Sequence, residues 1–225
     1  MARIVKEPLV RRGEILDAAQ QLVLSRGYEQ MTIQDILDTL HISKGAFYHY
    51  FDSKQALLAD ITERYLAEAE NILAPIQNDP GLNAVEKLNA YFATAVRWKN
   101  AQRAYLLGLL GGWYSDDNAI VRQKLTTDGF ARITPFIESI LRQGVQEGLF
   151  SAAYPHELAR VVITLIQSMG DTLAGMILAA PPDGADFAQV EAVIASFTDT
   201  LERTLQAPPG ALHLIDMDNV KGWFE

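Results

Sequence analysis

Thr32-Ile-Gln-Asp-Ile-Leu-Asp-Thr-Leu40 and Lys44-Gly-Ala-Phe-Tyr-His-Tyr-Phe51, joined by His41-Ile-Ser43, decide how this chain folds. In the first stretch Ile33, Ile36, Leu37 and Leu40 recur at helical spacing, and Asp35 stands three residues after Thr32 in a capping-box relation. The second stretch places Phe47 and Phe51 one helical turn apart, with Ser43 as N-cap. Upstream, Ile15, Ala18, Ala19, Leu22 and Val23 form one stripe from Val10 to Arg26, and Gly27 is placed to end that helix in a left-handed cap. Downstream, Asp52 or Ser53 caps a longer helix running toward Pro75, with Leu57, Leu58, Ile61, Tyr65 and Leu66 on its inner face. Two short helices across a three-residue turn, packed behind a first helix, make a helix-turn-helix.

A helix that enters a major groove needs a small or polar outer face and an apolar anchor behind it. Phe47, Phe51 and Ile42 supply the anchor. Gly45 and Ala46 permit close approach to base edges, and Lys44 can donate to guanine O6 and N7 or to a phosphate. Tyr48, His49 and Lys54 are donors suited to phosphate oxygens. The helix starts at Thr32 and Ser43 add backbone amides and positive dipole ends. Tyr50 fits packing as well as contact.

The segments Thr32-Ile-Gln-Asp-Ile36, Ile42-Ser-Lys-Gly-Ala-Phe-Tyr-His-Tyr-Phe51 and Ser53-Lys-Gln-Ala-Leu57 resemble the DNA-binding domain of the TetR family of transcriptional regulators, over about residues 9 to 69. The resemblance implies that Lys44 and Gly45 lie near bases, that Tyr48, His49 and Lys54 meet phosphates, and that Thr32 caps its helix against the backbone. It also implies a homodimer with an all-helical C-terminal ligand domain. One departure is Leu40-His41 in the turn, where the family usually has Ala-Gly; a left-handed backbone costs His more than Gly.

The expected organisation is all-α: a basic N-terminal arm (residues 1–8), a three-helix DNA-binding domain (9–69, motif 32–51), and an effector-binding and dimerisation domain (70–225). Beyond Pro80 the periodicity predicts helices over Ala84–Gln102, Arg103–Gly111, Asn118–Glu147, Pro155–Ala180 and Asp186–Gln206. Pro135 either kinks the third of these or divides it, with Thr134 as cap. The tail after Gly210 has no period and is expected to lie on the body through Leu212, Ile215, Trp223 or Phe224.

Of 20 aromatic residues, nine fall between Tyr91 and Phe150. An aromatic cavity is what the resemblance implies there, with Trp98, Tyr105, Trp113, Tyr114, Phe136 and Met169 as its candidate lining; each ring could equally fill a core. Arg97, Lys99 and Arg103 are a basic cluster able to meet an anionic effector or to form a solvated face. Leu158–Ala180 is apolar around most of its circumference, and Phe187, Val190, Ile194, Phe197, Leu201 and Leu205 form a stripe on the last helix. Helices near 158–180 and 186–206 therefore suit a two-fold four-helix bundle between two chains, and burial within one chain is the competing explanation.

Other functions find little purchase. The chain has no cysteine, which removes thiolate metal sites and cysteine nucleophiles. No Gly-x-Ser-x-Gly, phosphate-binding Gly-rich loop or HExxH is present, and His41, His49, His156 and His213 are scattered. Asp216-x-Asp218 begins like a calcium loop, but Val220 and Lys221 stand where a ligand and a glycine are needed. No enzyme, cofactor or metal site is expected. Arg160, Gln167 and Asp171 interrupt the most apolar segment, so no membrane span is expected, and no signal peptide is recognisable; the cytoplasm is the simplest location.

The formal charge of -9 disfavours DNA at first sight. Its distribution reverses that: residues 1–64 carry eight basic and nine acidic side chains, residues 65–225 carry 11 and 19. Arg3, Lys6, Arg11 and Arg12 against Glu7 make a basic arm able to follow phosphates. The expected function is a ligand-responsive, sequence-specific regulator of transcription, a repressor that a small molecule releases from a double-stranded operator. A helical adaptor that keeps the fold without binding an operator is the alternative.

Overall fold

The computed structural model describes residues 8–181 and 184–224. Most of the basic arm lies outside them. Ten α-helices and no strand occur among the described residues: α1 Pro8–Arg26, α2 Ile33–Leu40, α3 Lys44–Tyr48, α4 Lys54–Gln77, α5 Ala84–Ala101, α6 Arg103–Tyr114, α7 Ala119–Gln146, α8 Pro155–Leu178, α9 Phe187–Leu205 and α10 Met217–Val220. Two compact units share them, Met1–Ala67 with Arg103–Leu125, and Glu68–Gln102 with Thr126–Glu225.

The first unit is built on α1, α2, α3 and the start of α4. Ile15, Val23, Ile36, Phe47 and Leu57 are fully buried in one cluster. Local chemistry sets each boundary. Gly27 ends α1 at φ 79, and Thr32 and Asp35 exchange both hydrogen bonds of a capping box. His41 takes φ 52 and ψ 45, so the turn keeps the left-handed conformation with an imidazole at the position. Ser43 accepts from the Ala46 amide, and Ser53 from Ala56. α3 is shorter than its sequence suggested, ending at Tyr48, although Phe51 still reaches the core. Helix α6 belongs to this unit and runs on to Tyr114, three residues past the expected Gly111.

The second unit centres on Leu88, Phe92, Ile137, Ile140, Leu141, Val162, Leu201 and Leu205. α7 passes through Pro135 as a single helix, and the buried Thr134 hydroxyl donates to the Phe130 carbonyl one turn back. Pro75 is likewise inside α4. After α9 the chain forms a strap: both oxygens of buried Glu202 accept backbone amides, Oε2 from Gly210 and Oε1 from Leu212. Asn89 holds the strap by Ala211 and His213, while Leu212, Leu214 and Val220 are buried in it.

One expectation changes. The α9 stripe is spent inside the chain: Val190, Ile194, Leu201 and Leu205 are buried in its own core, so that stripe is not an open interface. α8 is long and apolar enough, at a mean hydropathy of 1.6, to cross a membrane by length and composition. Glu157 and Arg160 crowd its first two turns, leaving Asp171 as the one charge beyond. Only 22% of that apolar window is buried, which leaves one side of α8 open.

Candidate nucleic-acid interface

The exposed side of α3 and the start of α2 form the candidate interface, all within the first unit. Phe47 and Phe51 stack at 5.7 Å behind α3 and are buried, fixing its roll. Lys44, Gly45, Tyr48 and His49 consequently face outward, with Ala46 half-buried at the edge. Tyr48 is 41% exposed although large and aromatic, which frees its hydroxyl for an oxygen acceptor. The Lys44 ammonium sits 5.8 Å over the Tyr48 ring, so a flexible cation is held beside this exposed surface. A Cβ added at Gly45 would meet nothing within 4 Å. Packing within the chain does not require the small residue there.

Thr32 is exposed at the start of α2, and its hydroxyl donates to Asp35 Oδ2 at 2.7 Å. That bond and the Thr32 amide hold the Asp35 carboxyl below the usual range, with Arg26 adding to the effect. Arg12 ties the layer together from behind: its guanidinium lies 4.7 Å over Phe51, pairs with Asp60 and donates to the Tyr50 carbonyl. Tyr50 is half-buried against the core.

Lys54 has a partner that sequence did not reveal. Its ammonium donates to the Glu29 carbonyl at 3.1 Å and lies 4.4 Å over the Tyr28 ring, with burial lowering its pKa. Two of its three N–H donors remain for a phosphate. Tyr28 itself is buried, donates to the Lys54 carbonyl, and has its phenol pushed up to about 12 by burial. The signal for Tyr28 was its place one residue after the Gly27 cap, where an apolar contact often closes a helix end.

The six candidate effector residues are divided between the two units. Tyr105, Trp113 and Tyr114 fall in the first unit, and Trp98, Phe136 and Met169 in the second. Tyr105 is buried in the first core, its phenol pushed up to about 12 by burial. Phe136 and Met169 are buried in the second core. Trp98 donates to Glu68 at 3.2 Å. Arg122 lies 5.5 Å over the Tyr114 ring and donates to the Trp113 carbonyl. Among the described residues no group of acidic and histidine side chains is placed to hold a metal.

Comparison with known proteins agrees with this geometry. Residues 15–61 match the model for bacterial regulatory proteins of the tetR family, and residues 113–172 match a tetracyclin repressor-like C-terminal domain. The HTH-type transcriptional repressor DhaR of Mycobacterium sp. (strain GP1) is 26% identical over 61% of this chain and 68% of its own length. The repressor NemR of Escherichia coli (strain K12) is 33% identical, but the match spans 36% of this chain and 41% of NemR. Among solved structures, Salmonella enterica GusR superposes with a TM-score of 0.57 at 21% identity, covering 91% of this chain and all of that one, a likeness of fold. Capped α2, a left-handed turn, and α3 presenting Lys44 and Tyr48 over a Phe47–Phe51 anchor lie inside the first matched region, and by these residues the chain belongs to the TetR family of bacterial transcriptional regulators.

Proposed function

We propose that this regulator is a sequence-specific repressor that binds operator DNA as a homodimer and is released by a small molecule. The observation that carries the reading is the outer face of α3. Lys44, Gly45 and Ala46 read base edges, Tyr48, His49 and Lys54 engage phosphates, and the amides at Thr32 and Ser43 steady the backbone. Relatives named as repressors, DhaR and NemR among them, support repression over activation. The basic arm, residues 1–8, follows the adjacent backbone. Residues 9–69 read DNA, and residues 70–225 take the effector and pair the chains in the cytoplasm.

Pairing uses the sides of α8 and α9 that the chain leaves open. Val161, Thr164, Ser168, Gly175 and Leu178 are exposed on α8, as are Ala188, Ala192, Ala195 and Ser196 on α9. Small residues let four helices approach closely, and two α3 helices then meet half-sites about 34–36 Å apart. α4 contributes residues to both units and carries Lys54, so it is the element through which effector binding alters the DNA-reading face. A coupling of about 1–3 kcal/mol gives a clear response.

Selection from a random duplex pool tests this. A two-fold symmetric site with salt-sensitive binding is the expected product; absence of any enriched sequence would leave the adaptor reading.

A further inference from the structure

Tyr28 grips Lys54 at both ends. Its hydroxyl donates to the Lys54 carbonyl at 3.1 Å, and the Lys54 ammonium lies 4.4 Å over its ring while donating to the neighbouring Glu29 carbonyl at 3.1 Å. A lysine side chain on a helix surface samples many rotamers and gives up that freedom when it meets a phosphate. Here the backbone and the ammonium of one residue are both fixed before any partner arrives, so less freedom is left to lose on binding.

Tyr28 is itself held, and the holding comes from residues 108–118 of the same unit. Its amide donates to the Gly108 carbonyl at 2.9 Å, and a Cβ at Gly112 would stand 2.2 Å from its ring. The ring therefore lies directly on the α6 backbone and has no play in that direction. Just past α6, Asn118 closes the helix end. Its Nδ2 donates to the Gly112 carbonyl at 2.8 Å and to Ser115 Oγ at 3.0 Å, and Ser115 Oγ donates to the same carbonyl at 2.9 Å. The Asn118 side chain also reaches the Tyr28 phenol, where it opposes the upward push of burial. Asn118 is 4% exposed, and its Oδ1 has no donor among the described residues. An orphan oxygen in a core is costly, so an amide there is explained by what its nitrogen holds: the carbonyl of the residue against which the Tyr28 ring packs.

We infer that Tyr28 and Asn118 are positioning residues for DNA: together they hold Lys54 in the geometry in which its two remaining N–H donors meet a phosphate. This rests on the reading of Lys54 as a phosphate contact. Neither Tyr28 nor Asn118 touches DNA itself. A phosphate carries no sequence information, so loss of either residue weakens the operator and other duplexes alike.

The test is a double-mutant cycle on the full chain, read by fluorescence anisotropy across a salt series on the selected operator and on a mixed-sequence duplex. Urea melts and light scattering first establish folded dimers; Tyr28→Phe keeps the volume of the ring, and Asn118→Ser takes the place of Asn118→Ala should the latter not fold. Lys54→Met should reduce the salt slope by about one. Tyr28→Phe and Asn118→Ala should each weaken binding to both duplexes by about fivefold or more, and by less than about twofold in the Lys54→Met background. Equal losses in both backgrounds, or no loss from either substitution, overturn the inference and leave Lys54 a phosphate contact that needs neither residue. An unchanged slope in Lys54→Met removes the phosphate reading of Lys54 and the inference with it.

Discussion

His41 holds φ 52 in the turn between α2 and α3, a conformation that costs a residue with a Cβ about 1–2 kcal/mol. Replacing it by glycine removes that cost but loosens the unfolded chain. The expected net effect of His41→Gly is a gain of about 0.5–1 kcal/mol, read from urea melts, with α3 unmoved. Asp35 gives a pH-dependent contribution. Its carboxyl is held low by Thr32 in the folded chain, so its stabilisation is present above the ordinary carboxylate range and lost as pH falls through the lowered folded value. Asp35→Asn should therefore lower the melting temperature at pH 7 and converge with wild type in strong acid; a gap that persists there would contradict the assignment. These residues were legible in sequence because caps and turns depend on neighbours within four positions. Lys54 was only half legible. The Tyr28 ring and the Glu29 carbonyl that hold it lie 26 and 25 residues away, and no local pattern announces them.

Helix positions carry a second layer of information, the distance of closest approach. A Cβ at Gly112 would stand 2.2 Å from the Tyr28 ring, and one at Gly108 would stand 2.6 Å from the Val23 carbonyl oxygen. Helix α6 therefore lies against the end of α1 with no room for a methyl group, and the Tyr28 amide donates to the Gly108 carbonyl at 2.9 Å. Gly112→Ala should cost about 1–3 kcal/mol through overpacking, measured by denaturant titration. The same substitution at Gly175, where a Cβ meets nothing within the chain, should leave monomer packing intact. Sequence periodicity placed every long helix within a few residues, because each has an apolar face that repeats over several turns. It did not shorten α3 to Tyr48 or carry α7 unbroken past Pro135. Those outcomes turn on how Phe51 and Thr134 pack, and periodicity is blind to packing.

Over the whole molecule the acidic charge belongs to the residues after the DNA-reading segment, which meets its partner at a balance near zero. Repulsion from the remainder weakens loose association with DNA, so affinity depends on the α3 face and on salt. Assembly decides whether two such faces act together. Ala192→Arg on the open side of α9 should yield a monomer by light scattering and abolish tight operator binding, while a dimer that persists would move the interface elsewhere. The α9 stripe misled at this scale: its period is that of any buried helix, and it does not say which chain does the burying. The most direct measurement is the affinity of Lys44→Ala and Tyr48→Phe proteins, verified as folded dimers, for the selected operator and for an unrelated duplex across a salt series. The structure predicts that Lys44→Ala loses about tenfold or more on the operator and that Tyr48→Phe weakens binding with a smaller effect on sequence preference. Unchanged operator affinity in both folded dimers would contradict the assignment of α3 as the reading helix.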